Sequence, residues 1–116
     1  MSDATQSIGI LQFALDSIVE QQQTIANNIA NVDTPGYHTQ DLDFQGAMQQ
    51  VVNEGSVHMM PASREVQELP QRPDGNNVNI DRESLLLSQT QLQYQMGVQL
   101  IKAEFHKLLT AIKEGS

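Results

Sequence analysis

The chain has 116 residues, 39% hydrophobic and 4% aromatic, with no Trp, no Cys and a net charge of −8. Without cysteine there can be no disulfide, thiol chemistry or Cys-ligated metal, and the negative charge leaves no basic surface for nucleic acid or an anionic membrane. The length suits one modest domain, and the charge is uneven: residues 1–80 hold ten acids against two bases, whereas residues 81–116 balance four against four.

From residue 8 onward Ile8, Leu11, Leu15, Ile18, Gln22, Ile25, Ile29 and Val32 recur in steps of three and four. This is the heptad seam along which one helix lies against another. It predicts a helix over 7–32, with residues 1–6 frayed. The N-terminus has neither the positive start nor the cleavage site of a secretory signal. No run approaches the roughly 20 apolar residues of a membrane span. The expectation is a cytoplasmic protein, or one exported without a cleaved signal.

The helix closes on "ANNIANVDTPGY", residues 26–37. At about 100° per residue, Ile25, Ile29 and Val32 share the seam. Ala26 and Ala30 form a small ridge, and Asn27, Asn28 and Asn31 an amide ridge that can both donate and accept hydrogen bonds. Asp33 and Thr34 leave the helix, and Pro35 biases Thr34 toward extended backbone. Thr34-Pro35-Gly36-Tyr37 fits a type II turn, with proline fixing φ and glycine supplying the positive φ. A capped helix end with solvated asparagines explains the turn. It leaves the small and amide ridges without a use.

Residues 38–79 contain three of the four prolines and read as an irregular middle segment. A short helix is expected over 44–53, capped by Asp43, with Met48, Val51 and Val52 as its apolar face. Residues 55–77 are polar, Pro-interrupted and aperiodic, fitting loop or extended pieces. "RPDGNN" at 72–77 is a turn signal.

The third segment, residues 80–116, is a second helix. Ser84, Leu87, Gln91, Tyr94, Val98, Ile101, Phe105, Leu108 and Ile112 step by three and four. Leu85, Leu92, Met96, Leu100 and Leu109 widen the apolar stripe. Asp81 is the expected N-cap, Ile80 and Leu85 have hydrophobic-staple spacing, and Lys113 suits the last turn. The fold class is mainly α: two long helices, one in the segment 1–37 that also holds the motif and one in the segment 80–116, paired antiparallel like a coiled coil and joined by the irregular middle segment. Matching their loop-side ends sets Gln22 opposite Gln91. The pair either forms a buried amide bond that fixes register or lies at the wet edge of the seam.

The dense motif Asn27, Asn28, Ile29, Ala30, Asn31, Thr34, Pro35, Gly36 and Tyr37 resembles the N-terminal signature of the bacterial flagellar axial proteins, which include rod, hook and hook-associated subunits. "DGNNVNIDRE" (74–83) and "QLQYQMGVQLIKAEFHKLLTAIKE" (91–114), with the short length, are similar to the proximal rod proteins of that family. The likeness is close over 8–37 and 74–114 and poor over 38–73. It implies a structural subunit that assembles helically through its terminal helices, transmits torque and encloses the export channel, and is needed for motility. Implied partners are other rod subunits, membrane-ring and adaptor proteins at the rod base, and the flagellar type III export apparatus. The implied place is the periplasm-spanning rod of the basal body, reached without signal cleavage. The implied assembly motif is Ala26, Asn27, Asn28, Ile29, Ala30, Asn31, Asp33, Thr34, Pro35, Gly36 and Tyr37, with the C-terminal seam Leu87, Gln91, Tyr94, Val98, Ile101, Phe105, Leu108 and Ile112. Within the family the alternative is a sister proximal rod protein. Outside it, the alternative is a cytoplasmic helical hairpin that binds one partner.

No catalytic constellation is readable. His38, His58 and His106 are scattered, there is no Gly-rich phosphate loop, and Asp41, Asp43 and His38 lack the ligand density of a metal loop. The expectation is no enzyme, no cofactor and no metal.

Overall fold

The computed structural model describes residues 2–54 and 60–115; His58 and Met59 lie outside them. In chain order the elements are a helix Ser2–Ala30 (α1), a strand Gln40–Leu42 (β1), a helix Phe44–Glu54 (α2), a strand Ser63–Glu65 (β2) and a helix Ile80–Gly115 (α3). The two long helices pack antiparallel along a body of 67 × 25 × 16 Å. The fold is mainly α, with a short irregular segment joining the pair. The first helix begins at Ser2, ahead of the expected residue 7.

Two points fix the register. Near the loop end the Asn28 side chain bonds Glu83. Halfway along, Gly97 comes so close to α1 that a Cβ there would lie 2.7 Å from Leu15 Cδ2. The same register sets Gln22 level with Thr90. Gln91 is exposed, so the amide pair is not buried, and the fully buried Thr90 occupies the level instead.

On α1 the inward face carries Phe13, Ser17, Ile18, Ile25 and Asn28, all buried. Ile8, Leu11, Leu15, Ile29 and Val32 are half-buried beside it. On α3 two columns repeat every seven residues. One holds Leu87, Ile101 and Leu108, half-buried, with Tyr94 at its edge. The other holds Glu83, Thr90, Gly97 and Glu104, of which the first two are fully buried. The second column lies one residue round from the expected Ser84, Gln91, Val98 and Phe105. Ser84, Gln91, Phe105 and Ile112 are exposed, and Val98 is half-buried. The physical reason is that α3 has apolar residues on more than one side. Hydrophobicity therefore does not select the buried column; close approach at Gly97 and hydrogen bonding at Glu83 do.

The N-terminus of α3 also differs from the expectation. Asn79 is the cap, its Oδ1 accepting the Arg82 N–H at 3.0 Å. Asp81 lies inside the first turn. Ile80 and Leu85 are both exposed, so no staple forms between them. The buried apolar residue before the cap is Val78.

In the middle segment β1 and β2 pair antiparallel, Gln40 opposite Glu65 and Leu42 opposite Ser63. Asp43 N–H donates to the Ala62 carbonyl and Val66 N–H to the Thr39 carbonyl, each at 3.0 Å, extending the ribbon at both ends. Asp43 then caps α2: its Oδ1 accepts the Gly46 N–H at 3.1 Å. Val51 is buried and Met48 half-buried, but Val52 points out.

Ser17 is fully buried, and its hydroxyl has no hydrogen-bond partner. An unpaired buried hydroxyl costs stability, and alanine is the better helix former. Ser17→Ala should therefore stabilise the chain by about 1 kcal/mol, read as a higher urea midpoint by circular dichroism. A destabilisation of that size would show that the hydroxyl is bonded.

Candidate assembly motif at the loop end of the helical pair

After Ala30 the backbone turns through a series of short-range hydrogen bonds. Asn31 N–H donates to Asn27 O at 3.1 Å, Val32 N–H to Ile29 O at 3.2 Å and Thr34 N–H to Asn31 O at 3.0 Å. Tyr37 N–H donates to Thr34 O at 3.2 Å, closing the Pro-Gly turn, with Gly36 at φ +75°. A second turn follows Pro73: Gly75 N–H donates to Arg72 O at 2.8 Å, with Gly75 at φ +86°. The two turns lie against each other. Gly36 N–H donates to Asp74 O at 2.9 Å, and a Cβ on Gly75 would stand 3.3 Å from Gly36 Cα. Backbone at that distance cannot swing aside as a side-chain tip can.

Side-chain amides fasten the turns together. Asn76 is fully buried; its Nδ2 donates to Asn31 O at 2.9 Å and Thr34 O at 2.8 Å, and its Oδ1 accepts Val78 N–H at 2.8 Å. Asn77 Oδ1 accepts from both Thr39 N–H, at 2.7 Å, and Thr39 Oγ1, at 2.8 Å. The Arg72 guanidinium donates to Val32 O and lies 3.6 Å from Asp74. Carbonyls of the turn just past α1 are thus satisfied by residues 40 or more positions later.

At the centre is Asn28. Its Nδ2 donates to Gln40 O at 2.9 Å and to Glu83 Oε1; its Oδ1 accepts Tyr37 O–H at 2.8 Å and Gln40 N–H at 3.0 Å. The amide's two donors and two acceptor positions are all used. One side chain therefore ties α1 to β1, to Tyr37 and to α3. Glu83 is fully buried and accepts its second bond from Arg82 Nη1 at 2.7 Å. The Tyr37 hydroxyl has its pKa raised, chiefly by burial and then by the negative Glu83, so it stays protonated as the donor to Asn28.

Asn28, Asn31, Thr34, Gly36 and Tyr37 of the expected motif meet in this clasp. Asn31 bonds locally, Nδ2 to Asn27 O at 2.8 Å and Oδ1 from Thr34 Oγ1 at 3.0 Å. Ile29 is half-buried, and Ala26, Asn27, Ala30, Asp33 and Pro35 are exposed. The three asparagines do not share one surface: Asn28 faces inward and Asn27 outward. Sequence reasoning missed Thr39, Asn76, Asn77, Asn79 and Glu83. For all but Thr39 the signal was the run "NNVN" before an acidic helix start, read as a turn and as family likeness. The histidines do not converge: His38 sits 3.5 Å from Glu65, and His106 is exposed on α3. Among the described residues no cluster of three His, Cys, Asp or Glu is placed to hold a metal.

Asn28→Ala should destabilise the chain by about 2–4 kcal/mol, since it strands several buried groups at once. Asn27→Ala should change stability by less than about 0.5 kcal/mol. Urea denaturation of both variants checks the contrast; equal effects would contradict the hub role. Gly75→Ala should lower the midpoint as well, because the left-handed φ and the contact with Gly36 both oppose a Cβ.

The family model described as "Flagella basal body rod protein" matches residues 19–38, the end of α1 and the first turn. Over most of its length the chain is similar to proteins named flagellar basal body rod protein FlgB. Identity is 29% to that of Escherichia coli (strain K12) and 30% to that of Salmonella typhimurium LT2, with 90% of this chain and 91% of each relative covered. The Bacillus subtilis (strain 168) protein is 30% identical, with 99% of both chains covered. The shared name settles the choice between sister proximal rod proteins. With this identity across nearly the whole of both chains, the protein belongs to the flagellar basal body rod protein FlgB family, as a structural subunit of the rod.

Proposed function

We propose that the chain builds the proximal rod, assembling helically through α1 and α3, carrying motor torque and enclosing the export channel. Its role is mechanical and not catalytic. The observation that supports an assembling subunit is the surface of α3: Leu85, Leu92, Met96, Leu100, Phe105 and Leu109 are each about half exposed or more. Exposed apolar surface of this extent marks an interaction site. The clasp holds the two helices in fixed register, so that surface is presented as a rigid unit.

Partners on this reading are other rod subunits, the ring and adaptor proteins at the rod base, and the export apparatus that delivers the chain without signal cleavage. The exposed motif residues Ala26, Asn27 and Ala30 belong to the surface between subunits. No helix among the described residues is long and apolar enough to cross a membrane, which suits a subunit held in place by protein neighbours.

Deleting the gene should abolish swimming and leave basal bodies without a complete rod, as seen by electron microscopy of isolated particles. Complementation with the native chain should restore both. Complete rods in the deletion strain would overturn the proposal.

A further inference from the structure

Asp74-Gly75 is the one place in the chain where a glycine follows an aspartate or an asparagine. In such a pair the glycine nitrogen can attack the preceding side-chain carboxyl with little hindrance, because glycine has no Cβ and its backbone turns freely. The clasp uses both residues. Gly75 stands at φ +86°, and a Cβ there would lie 3.3 Å from Gly36 Cα. Asp74 Oδ1 accepts the Asn76 N–H at 3.0 Å, the turn bond that aspartate side chains favour. The Asp74 side chain is also 39% exposed, so water reaches it.

In the closed clasp the two reacting groups are held apart in function. Gly75 N–H donates to Arg72 O at 2.8 Å, and the Asp74 carbonyl accepts Gly36 N–H at 2.9 Å. These bonds fix the peptide plane between residues 74 and 75 from both sides. Asp74 Oδ1 is occupied by Asn76, and Oδ2 lies 3.6 Å from Arg72 Nη2. Arg72 is anchored in turn: its N–H donates to Asn76 O at 2.8 Å and its guanidinium to Val32 O. Ring closure would require the Gly75 nitrogen to lose its bonded proton and the peptide plane to rotate away from Arg72 and Gly36.

We propose that Asp74 is a site of spontaneous isomerisation to isoaspartate, that the closed clasp suppresses the reaction, and that the isomerised chain can no longer close the clasp. In the open chain the Gly75 nitrogen attacks Asp74 Cγ. The new N–Cγ bond closes a succinimide, and one carboxyl oxygen leaves as water with the amide proton and a proton from solvent. Water then opens the ring at either carbonyl and returns a proton to solvent. Breaking N–Cγ restores aspartate. Breaking the bond from the nitrogen to the main-chain carbonyl carbon leaves isoaspartate, with no change of mass or oxidation state. The main chain then runs through Cβ and Cγ and is about 1.5 Å longer, and the carbonyl that accepted Gly36 N–H has become a free carboxylate. A chain that stays open is thus disabled for good, whereas a closed one keeps its turn. The site depends on the clasp alone and not on rod assembly.

The full-length native chain and Asn28→Ala are held at neutral pH in buffer, and the native chain also in guanidinium chloride. Isoaspartate is read over time by enzymatic methylation of isoaspartyl carboxylates and located by tandem mass spectrometry. The reaction proceeds from the open state, so the unfolded chain should react fastest, Asn28→Ala next and the folded native chain slowest, with at least about tenfold between the extremes. Equal rates in the folded and unfolded native chain would overturn the proposal, as would no isoaspartate at residue 74 in the unfolded chain. Equal rates in Asn28→Ala and the native chain would overturn it too, since the turn would then protect itself without the clasp. The isomerised chain, separated by reversed-phase chromatography and returned to native buffer, should exchange its Gly36 amide rapidly while the unmodified chain regains slow exchange. Slow exchange of Gly36 in the isomerised chain would contradict the claim that it cannot close.

Discussion

The hydrogen bonds of Asn28 to Glu83, Tyr37 and Gln40 are the constraint on which the rest of the structure depends. α1 and α3 meet along a seam whose α3 side alternates apolar residues with Glu83, Thr90, Gly97 and Glu104. An apolar seam that repeats every seven residues tolerates slippage by a heptad. A buried carboxylate does not, because moving it away from Asn28 and Arg82 would leave a charge without partners. The register is therefore set at one end by hydrogen bonding, and halfway along Gly97 leaves room for the Leu15 side chain.

Such a polar core is costly unless every member is satisfied. Here the accounting is nearly complete: Asn28, Asn76 and Asn77 pair with backbone or side chains on segments far apart in sequence. The asparagines do the work that larger hydrophobic residues perform in a globular core. Aromatic residues are few in this chain, and the buried apolar set is small. The molecule is thus rigid at the turn end, where hydrogen bonds concentrate. Along the far half of α3 it is only partly covered.

Much of the fold was legible in the sequence, and the physical reason differs by element. The long helices announce themselves through steps of three and four, and the Pro-Gly turn through two residues with fixed backbone preferences. The buried column of α3 was not legible. Hydrophobicity points equally to Leu85, Leu92 and Leu100, which face outward, and the true column contains Glu83 and Gly97, which no apolar rule selects. The cap at Asn79 was missed in favour of Asp81, two residues later, because both residue types cap well. Of the motif, the asparagines were recognisable as a group, but their division was not. Whether an asparagine looks in or out depends on Gln40 and Glu83, and no local pattern places those residues beside Asn28. Resemblance supplied the family; only geometry revealed that "ANNIANVDTPGY" and "DGNNVNIDRE" are two halves of one clasp.

That clasp joins segments 40 to 55 positions apart in the chain, so its opening should be a single cooperative event and not loop fraying. Native-state hydrogen exchange of the Gly36, Thr39 and Gln40 amides tests this directly. Their acceptors are Asp74 O, Asn77 Oδ1 and Asn28 Oδ1, all across the clasp. The account predicts that these three amides, although outside any helix, exchange as slowly as the neighbouring helical amides of α1 and lose protection together. Rapid, independent exchange at the three while α1 stays protected would contradict it.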